Sequence, residues 1–458
     1  MLKRVLFISY FFPPLGGVKV QRALKFVEYL PSFAWMPTVL SVRNADHDYY
    51  DYDLINEIPS RVRVIRTYSF EPSKLYKFLR ACYDTFRDFS KLKRVKKTDL
   101  CGIKSQSLAL KLNNFIFIPD NKIGWVPFAL YKILSFFRAN DFDLIYSTSP
   151  VFTSHLLGLA AKLAFKKPWV VDLRDLWVLN PYLRPPTKLH SKISRLIESN
   201  TFRKADKIVT VAEELRQDLI ENYPEISPEK FVVIPNGYDQ ADFESESEPK
   251  RNKFSIGYIG SLYLFSGRTP HYFLLALGEL FKQFPQLEKE MDVTFVGPLD
   301  RQNRKIFESI LFRYNLKKMV QQIGPVSHRE AIKYMKSFSL LLLIVGKKTE
   351  KHKSRQDHPY DRTSVTGKLF EYLASGKPIL ALTAEGPVKR IIQQSNAGFV
   401  VEPEDIEAIK KEILSCYRLH KENKLKAQTK REMVARYERK NLTGKLARIF
   451  DELATKES

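Results

Sequence analysis

Five short stretches combine glycine, charge and position in ways that can do chemistry. The fullest runs Thr366-Gly367-Lys368-Leu369-Phe370-Glu371-Tyr372-Leu373-Ala374-Ser375-Gly376-Lys377-Pro378. Gly367 opens a helix there, and Gly376 with Pro378 closes it. Lys368 and Glu371 stand three residues apart and share a face, which suits a surface ion pair or a binding pair. At a helix N-terminus the lysine fits phosphate oxygens and the carboxylate fits ribose hydroxyls. Gly257-Tyr258-Ile259-Gly260-Ser261, with Arg268 seven residues beyond Ser261, is laid out as a phosphate-contacting loop with a cationic clamp. A plain surface arginine is the blander reading of Arg268. Asp172-Leu173-Arg174-Asp175-Leu176-Trp177 puts three charges at the end of an apolar run, a costly arrangement unless they serve a site or pair together. Pro13-Pro14-Leu15-Gly16-Gly17-Val18 sets paired glycines after the first apolar run. Backbone N–H groups can approach a ligand there, and the next helix offers its positive end to an anion. Ile234-Pro235-Asn236-Gly237-Tyr238-Asp239 carries the Asn-Gly turn signal.

Positioning such loops needs strands that end beside one another. Short apolar runs alternate with longer helical patterns and predict strands at Val5–Tyr10, Thr38–Ser41, Val62–Ile65, Leu144–Ser147, Trp169–Asp172, Ile208–Val211 and Val232–Pro235. The cycle then restarts with Ser255–Gly260, Val293–Gly297, Val320–Ile323, Leu340–Val345, Ile379–Leu382 and Gly398–Val400. Continuous Val/Ile/Leu strands separated by helices mean parallel sheets covered on both faces. Two such cycles predict an α/β chain of two doubly wound domains, with ligands beyond the carboxyl ends of the strands. The acidic stretch Phe243–Lys253 reads as the linker, giving domains at 1–248 and 249–425. Residues 426–458 form a charged helical tail whose apolar stripe (Met433, Val434, Tyr437, Leu442, Leu446 and Phe450) must pack on something. The polar stretch 347–366 reads as a mobile loop.

The 458 residues exceed what one core usually organises, and 44% hydrophobic content excludes a disordered chain. Cys82, Cys101 and Cys416 are too few and too scattered for a disulfide framework or zinc site, and suggest a reducing compartment. Val5 to Phe12 is too short and aromatic for a signal peptide, and no stretch has the length of a membrane span. Eight scattered histidines and no Asp-x-Asp pair at a strand end indicate no metal site and no cofactor. GxSxG, GxxxxGK[ST] and HExxH are absent.

Charge is the other signal. The chain carries 75 Lys+Arg against 51 Asp+Glu, a net +24. Residues 74–97 hold nine basic and two acidic residues, and Leu75, Phe78, Leu79, Tyr83, Phe86 and Phe89 recur at helical spacing. A basic amphipathic helix of this kind lies on an anionic membrane or packs its apolar face on its own domain. No nucleic-acid-binding motif accompanies the charge, so no nucleic acid is expected.

Taken in order, these motifs resemble family 4 of the retaining, nucleotide-sugar-dependent glycosyltransferases, in its bacterial polysaccharide-biosynthesis branch. ISYFFPPLGGVKVQRALKFVEYLPSFAWMPTVLS, STSPVFTSHLLGL, PWVVDLRDLW, ADKIVTVAEELRQDL with VVIPNGYD, GYIGSLY and TGKLFEYLASGKPILAL carry the likeness over nearly the whole length. The resemblance implies the GT-B fold: two Rossmann-like domains facing a cleft and a C-terminal helix crossing back to the first. It implies a UDP- or GDP-linked sugar donor bound mainly by the second domain. The acceptor, a lipid-linked or other glycan, would lie on the first, and the enzyme would sit in the cytoplasm at the inner face of the membrane. Gly16, Gly17, Gly260, Ser261, Arg268, Lys368, Leu369 and Glu371 become donor-binding candidates, with Arg268 and Lys368 on the diphosphate and Glu371 on the ribose. Asp172, Arg174 and Asp175 fall where the family keeps a catalytic-centre side chain. The chain departs from the pattern at Thr363, where many members have a glutamate, and at Ser261, where many have an arginine. A nucleotide-sugar epimerase or hydrolase, or a non-catalytic scaffold of the same fold, are the alternatives.

Overall fold

A computed structural model of the chain describes residues 2–47, 49–71, 117–138, 141–180, 185–244, 251–264, 267–345 and 365–455. The expected basic helix at 74–97, Thr363, Cys82, Cys101 and most of the 347–366 loop lie outside them. The chain forms two compact units, Met1–Ile234 with Thr443–Ser458, and Pro235–Leu442.

The first unit is built on seven parallel strands: β1 (Lys3–Ser9), β2 (Trp35–Val42), β3 (Arg63–Thr67), β4 (Leu144–Thr148), β5 (Trp169–Leu173), β6 (Lys207–Thr210) and β7 (Phe231–Val233). Their order is β3-β2-β1-β4-β5-β6-β7, with Val5 paired to both Pro37 and Leu144. The direction of winding reverses between β1 and β4, so the crevice of a doubly wound sheet opens where these two strands end. Val5 to Ser9 and all of β4 and β5 are buried, as continuous apolar strands between helices must be. Phe450 of the helix Arg439–Ala454 packs at 5.1 Å from Trp35 and 5.8 Å from Tyr146, and Asp451 accepts from Lys3 at 2.7 Å. These contacts tie the last segment to the first unit.

The second unit holds β8 (Phe254–Ile259), β9 (Met291–Val296), β10 (Val320–Ile323), β11 (Leu340–Ile344), β12 (Ile379–Leu382) and β13 (Gly398–Val401), all parallel, in the order β10-β9-β8-β11-β12-β13. Its reversal falls between β8 and β11, so the loop after β8 lies at the switch point. Gly257 lets the sheet close against Phe338, since a Cβ there would stand 2.0 Å from the Phe338 ring.

Two details differ from the sequence expectation. The first unit ends at Ile234 because Tyr238 and Phe243 already belong to the core of the second, and Lys336 donates to the Phe243 carbonyl at 2.9 Å. The tail is two helices, Arg431–Ala435 and Arg439–Ala454, rather than one. Between them the backbone pairs with Tyr238, whose N–H donates to Tyr437 O at 3.1 Å and whose carbonyl accepts from Arg439 N–H at 2.8 Å. Those groups are spent on the bridge and cannot continue a helix.

Candidate functional site

In the second unit the structure brings Gly260, Ser261, Arg268, Lys368 and Glu371 around the end of β8. Gly260 leaves the strand with φ 128°, a conformation that favours glycine, and a Cβ on it would stand 2.4 Å from Lys368 Nζ. The close approach is what the paired motifs require: the ammonium lies against bare backbone. Lys368 is the second residue of the helix Gly367–Ala374, and it donates to the Tyr258 hydroxyl at 2.7 Å while lying 4.2 Å from the centre of that ring. The Tyr258 hydroxyl in turn donates to Ser261 O at 2.9 Å. The helix is fixed from below by Tyr372, whose hydroxyl accepts from Ile259 N–H at 2.9 Å.

Electrostatics give this corner its character. Burial depresses the Lys368 pKa well below the ordinary lysine value, the Arg268 charge lowers it further, and Glu371 draws it back up. Two cations are thus held close together, one of them on a neutral phenol. Arg268 is positioned through its carbonyl, which accepts from Asn303 Nδ2 at 2.9 Å. Asn303 sits at the start of the helix Arg301–Arg313, where its N–H donates to Asp300 at 2.7 Å. Leu369 plays a different part from its neighbours. Its side chain is fully buried with Phe370 and Leu373 in the core, and its N–H donates to Thr366 O at 3.1 Å.

His328 and Asp242 are titratable neighbours of Glu371 that sequence reasoning did not single out. His328 Nε2 lies 3.1 Å from Asp242 Oδ2. Burial would lower the His328 pKa, but the Asp242 hydrogen bond and the charges of Glu371 and Asp242 raise it overall. The only sequence signal was a histidine opening a helix, and one lone histidine is weak.

In the first unit the predicted residues separate. Asp172 is wholly buried and faces inward. Arg22 donates to it from Nε at 3.1 Å and from Nη2 at 2.9 Å, and Thr148 Oγ1 donates at 2.7 Å. Arg22 also reaches Ile234 O at 2.9 Å. Burial opposes ionisation of Asp172, but Arg22 and the hydrogen bonds win and hold its pKa below the usual aspartate value. Arg174 turns the other way and donates to Lys19 O at 2.7 Å and Val18 O at 3.2 Å, gripping the first turn of the helix Val18–Tyr29. Asp175 lies within electrostatic range of Lys19. The loop after β5 and the glycine loop after β1 are therefore linked through Arg174. Gly16 is buried, donates to Tyr49 O at 3.0 Å, and leaves no room for a Cβ beside the Tyr49 ring. Gly17 is exposed, with φ 91° and open space where a Cβ would be. Among the described residues no group of three or more His, Cys, Asp and Glu is placed to hold a metal ion. No described helix is long and apolar enough to cross a membrane.

The sequence matches Glycosyltransferase Family 4 over residues 105–242 and Glycosyl transferases group 1 over residues 253–418. No curated protein matches it significantly. The fold is similar to Anabaena HepE crystallised with UDP-glucose, at 15% identity and a TM-score of 0.61 over 98% of this chain and 100% of that one. It is similar to sucrose-phosphate synthase from Thermosynechococcus elongatus, at 14% identity and a TM-score of 0.62 over 99% and 100% of the two chains. A glycosyltransferase from Rickettsia africae aligns at 16% identity with a TM-score of 0.61 over 100% and 99%. Two parallel Rossmann-like sheets, the ordered motifs and the paired family matches lead to one assignment: the chain belongs to the family 4-like glycosyltransferases of GT-B fold.

Proposed function

We propose that the protein transfers a sugar from a nucleotide-sugar donor to a lipid-linked or other glycan acceptor, with retention of anomeric configuration, in cell-surface polysaccharide synthesis at the inner face of the membrane. The observation that carries the donor reading is Lys368, a desolvated ammonium beside Arg268 and against the bare backbone of Gly260. Two neighbouring cations with partly unsatisfied charge favour a dianion, and a nucleoside diphosphate supplies one. In this reading Lys368 and Arg268 bind the diphosphate, Gly260 and Ser261 give it room, Leu369 sets the helix from the core, and Glu371 takes the ribose hydroxyls. UDP-glucose in HepE supports a uridine donor over a guanosine one.

As the bond from the anomeric carbon to the phosphate oxygen breaks, negative charge grows on the leaving diphosphate, where the fixed cations stabilise it most. The acceptor hydroxyl attacks from the same face, and its proton passes to the departing phosphate oxygen, so no protein nucleophile is needed. Asp172 serves as a positioning group that fixes Arg22 under the first-unit loops. On the first unit, Gly16 and Gly17 keep the donor-phosphate role and Arg174 and Asp175 the catalytic-centre role that the family resemblance implies, Gly16 from a buried backbone position and Gly17 from an exposed one.

A thermal-shift panel of UDP, GDP, ADP and their sugar conjugates tests the donor. A ligand at about 100 times its dissociation constant adds roughly 2.7 kcal/mol. The expected result is one stabilising nucleotide class whose effect is lost in Lys368→Ala and Glu371→Ala. No shift with any donor, in folded protein, overturns the reading. NMR of the first-formed product then reports its anomeric configuration, and an inverted product rules out the same-face step.

A further inference from the structure

The helix Lys188–Lys204 in the first unit exposes a row of aliphatic side chains on its outward face. Its inward side is well anchored. His190, Glu198, Thr201 and Phe202 are buried, and Phe202 packs edge-on at 5.1 Å from Tyr223. Thr187 caps the first turn by accepting from His190 N–H at 3.3 Å, and Arg195 reaches Asn222 O at 3.0 Å. The opposite side presents Leu189, Ile193 and Leu196, at 63%, 36% and 68% exposure. Their spacing of four and three residues lines them along one stripe of the helix. Scattered exposed aliphatics are ordinary, but an aligned row on an otherwise anchored helix is a surface awaiting a partner.

The charges beside that row identify the partner. Lys188 and Lys192 are exposed next to Leu189 and Ile193 in the first turns. Arg195 is spent on the anchored side, and further along Arg203 pairs with Glu225 at 3.5 Å. The helix has a single acidic residue, Glu198, and it is fully buried, with Tyr223 donating to it. The first turns of the outward face therefore join aliphatic side chains to positive charge, and the one carboxylate that meets the helix from another described segment in an ion pair, Glu225, lies at its far end on Ser199 and Arg203. We propose that this face lies on an anionic lipid surface, with Leu189, Ile193 and Leu196 entering the acyl boundary and Lys188 and Lys192 meeting lipid phosphates. Burial of the aliphatics and attraction of the lysines act together on such a helix. A net charge of +24 reinforces the same attraction over the whole chain. The proposal is independent of the donor chemistry and of residues 74–97.

Cosedimentation of the full chain with phosphatidylcholine vesicles, with and without phosphatidylglycerol, tests it. The wild type binds the anionic vesicles, and added salt weakens the binding. Reversing Lys188 and Lys192 to Glu lowers the partition coefficient at least about tenfold, since each lysine near the surface contributes about a factor of five. Leu189→Ser with Leu196→Ser lowers it by a similar factor, with unchanged Tm and an unchanged nucleotide thermal shift. Both effects persist when Lys93, Arg94, Lys96 and Lys97 are reversed to Glu. Hydrogen exchange supplies a reading on the wild type itself: anionic vesicles slow exchange in the first turns of this helix. Wild-type partition in either variant pair overturns the proposal, as does exchange in this helix that vesicles leave unaltered. A concentration-dependent dimer that the leucine substitutions dissociate, with vesicle binding untouched, identifies a second copy as the occupant and equally overturns it.

Discussion

Lys368 rests on Tyr258, its ammonium donating to the phenol at 2.7 Å and lying over the same ring at 4.2 Å. A phenol satisfies one N–H of an ammonium without cancelling its charge. The lysine is thereby pre-placed and undercompensated, a condition that binding of an anion relieves.

Donor binding should consequently take up protons. Burial and the Arg268 charge depress the Lys368 pKa, and a bound diphosphate raises it again. Calorimetry in buffers of different ionisation enthalpy should give net proton uptake, largest between the depressed value and the ordinary lysine value. Lys368→Met should abolish the uptake. The stability sign is also fixed. In that same window the unfolded chain binds more protons than the folded one, so this lysine makes the ligand-free protein more stable as pH rises. Release of protons on binding would contradict the assignment.

Gly260→Ala tests the close approach. Its φ of 128° is strained for alanine, and the new Cβ would stand 2.4 Å from Lys368 Nζ. The end of a lysine can swing away, so the fold survives at a cost of about 1 kcal/mol while the ammonium loses its place. Donor affinity should fall at least about tenfold, equivalent to about 1.4 kcal/mol. An alanine variant of wild-type affinity would show that Lys368 does not need this position.

These two predictions mark where the sequence was legible. The run Leu340–Val345 could be read as a strand because a strand buried on both faces must be apolar throughout, and β11 is that strand. Lys368 and Glu371 could be placed on one face because helical spacing is local. Tyr258 could not be read as the partner of Lys368, because 110 residues separate them and only the closure of β8 on the next helices joins them. Arg22 was invisible for the same reason, being 150 residues from Asp172. A charged run at a strand end announced that something paired there without saying whether the partner was a ligand or the protein. For Asp172 the pairing found is internal.

Asp172 and Arg22 form a buried pair, and breaking one side leaves the other charge stranded. Arg22→Met should cost about 3–5 kcal/mol in urea unfolding, whereas the double variant Arg22→Met with Asp172→Leu should recover much of it. The pH sign follows from the lowered Asp172 pKa. Its contribution is present above the unfolded aspartate value and disappears as pH falls through the depressed folded value. A double variant as unstable as the sum of the two single ones would mean that the pair is not coupled.

Glu198 runs opposite to Asp172. It is fully buried, and burial pushes its pKa up to about 7 from 4.5, although the Tyr223 hydroxyl, the Val178 N–H and the Arg195 charge all pull it down. Between those two values the folded protein binds more protons than the unfolded chain, so stability is lost as pH rises from 4.5 towards 7. The full loss is on the order of 3 kcal/mol, at about 1.4 kcal/mol per unit. Glu198→Gln keeps an acceptor for Tyr223 and cannot ionise, so its urea midpoint should match the wild type near pH 5 and exceed it at pH 8. Because Val178 N–H also donates to Glu198, at 3.4 Å, the ionisation is felt in the loop that carries Arg174 and Asp175. A glutamine variant that is less stable than wild type at pH 8 would mean that the charged carboxylate is favoured inside the fold, and the direction of the shift would be reversed.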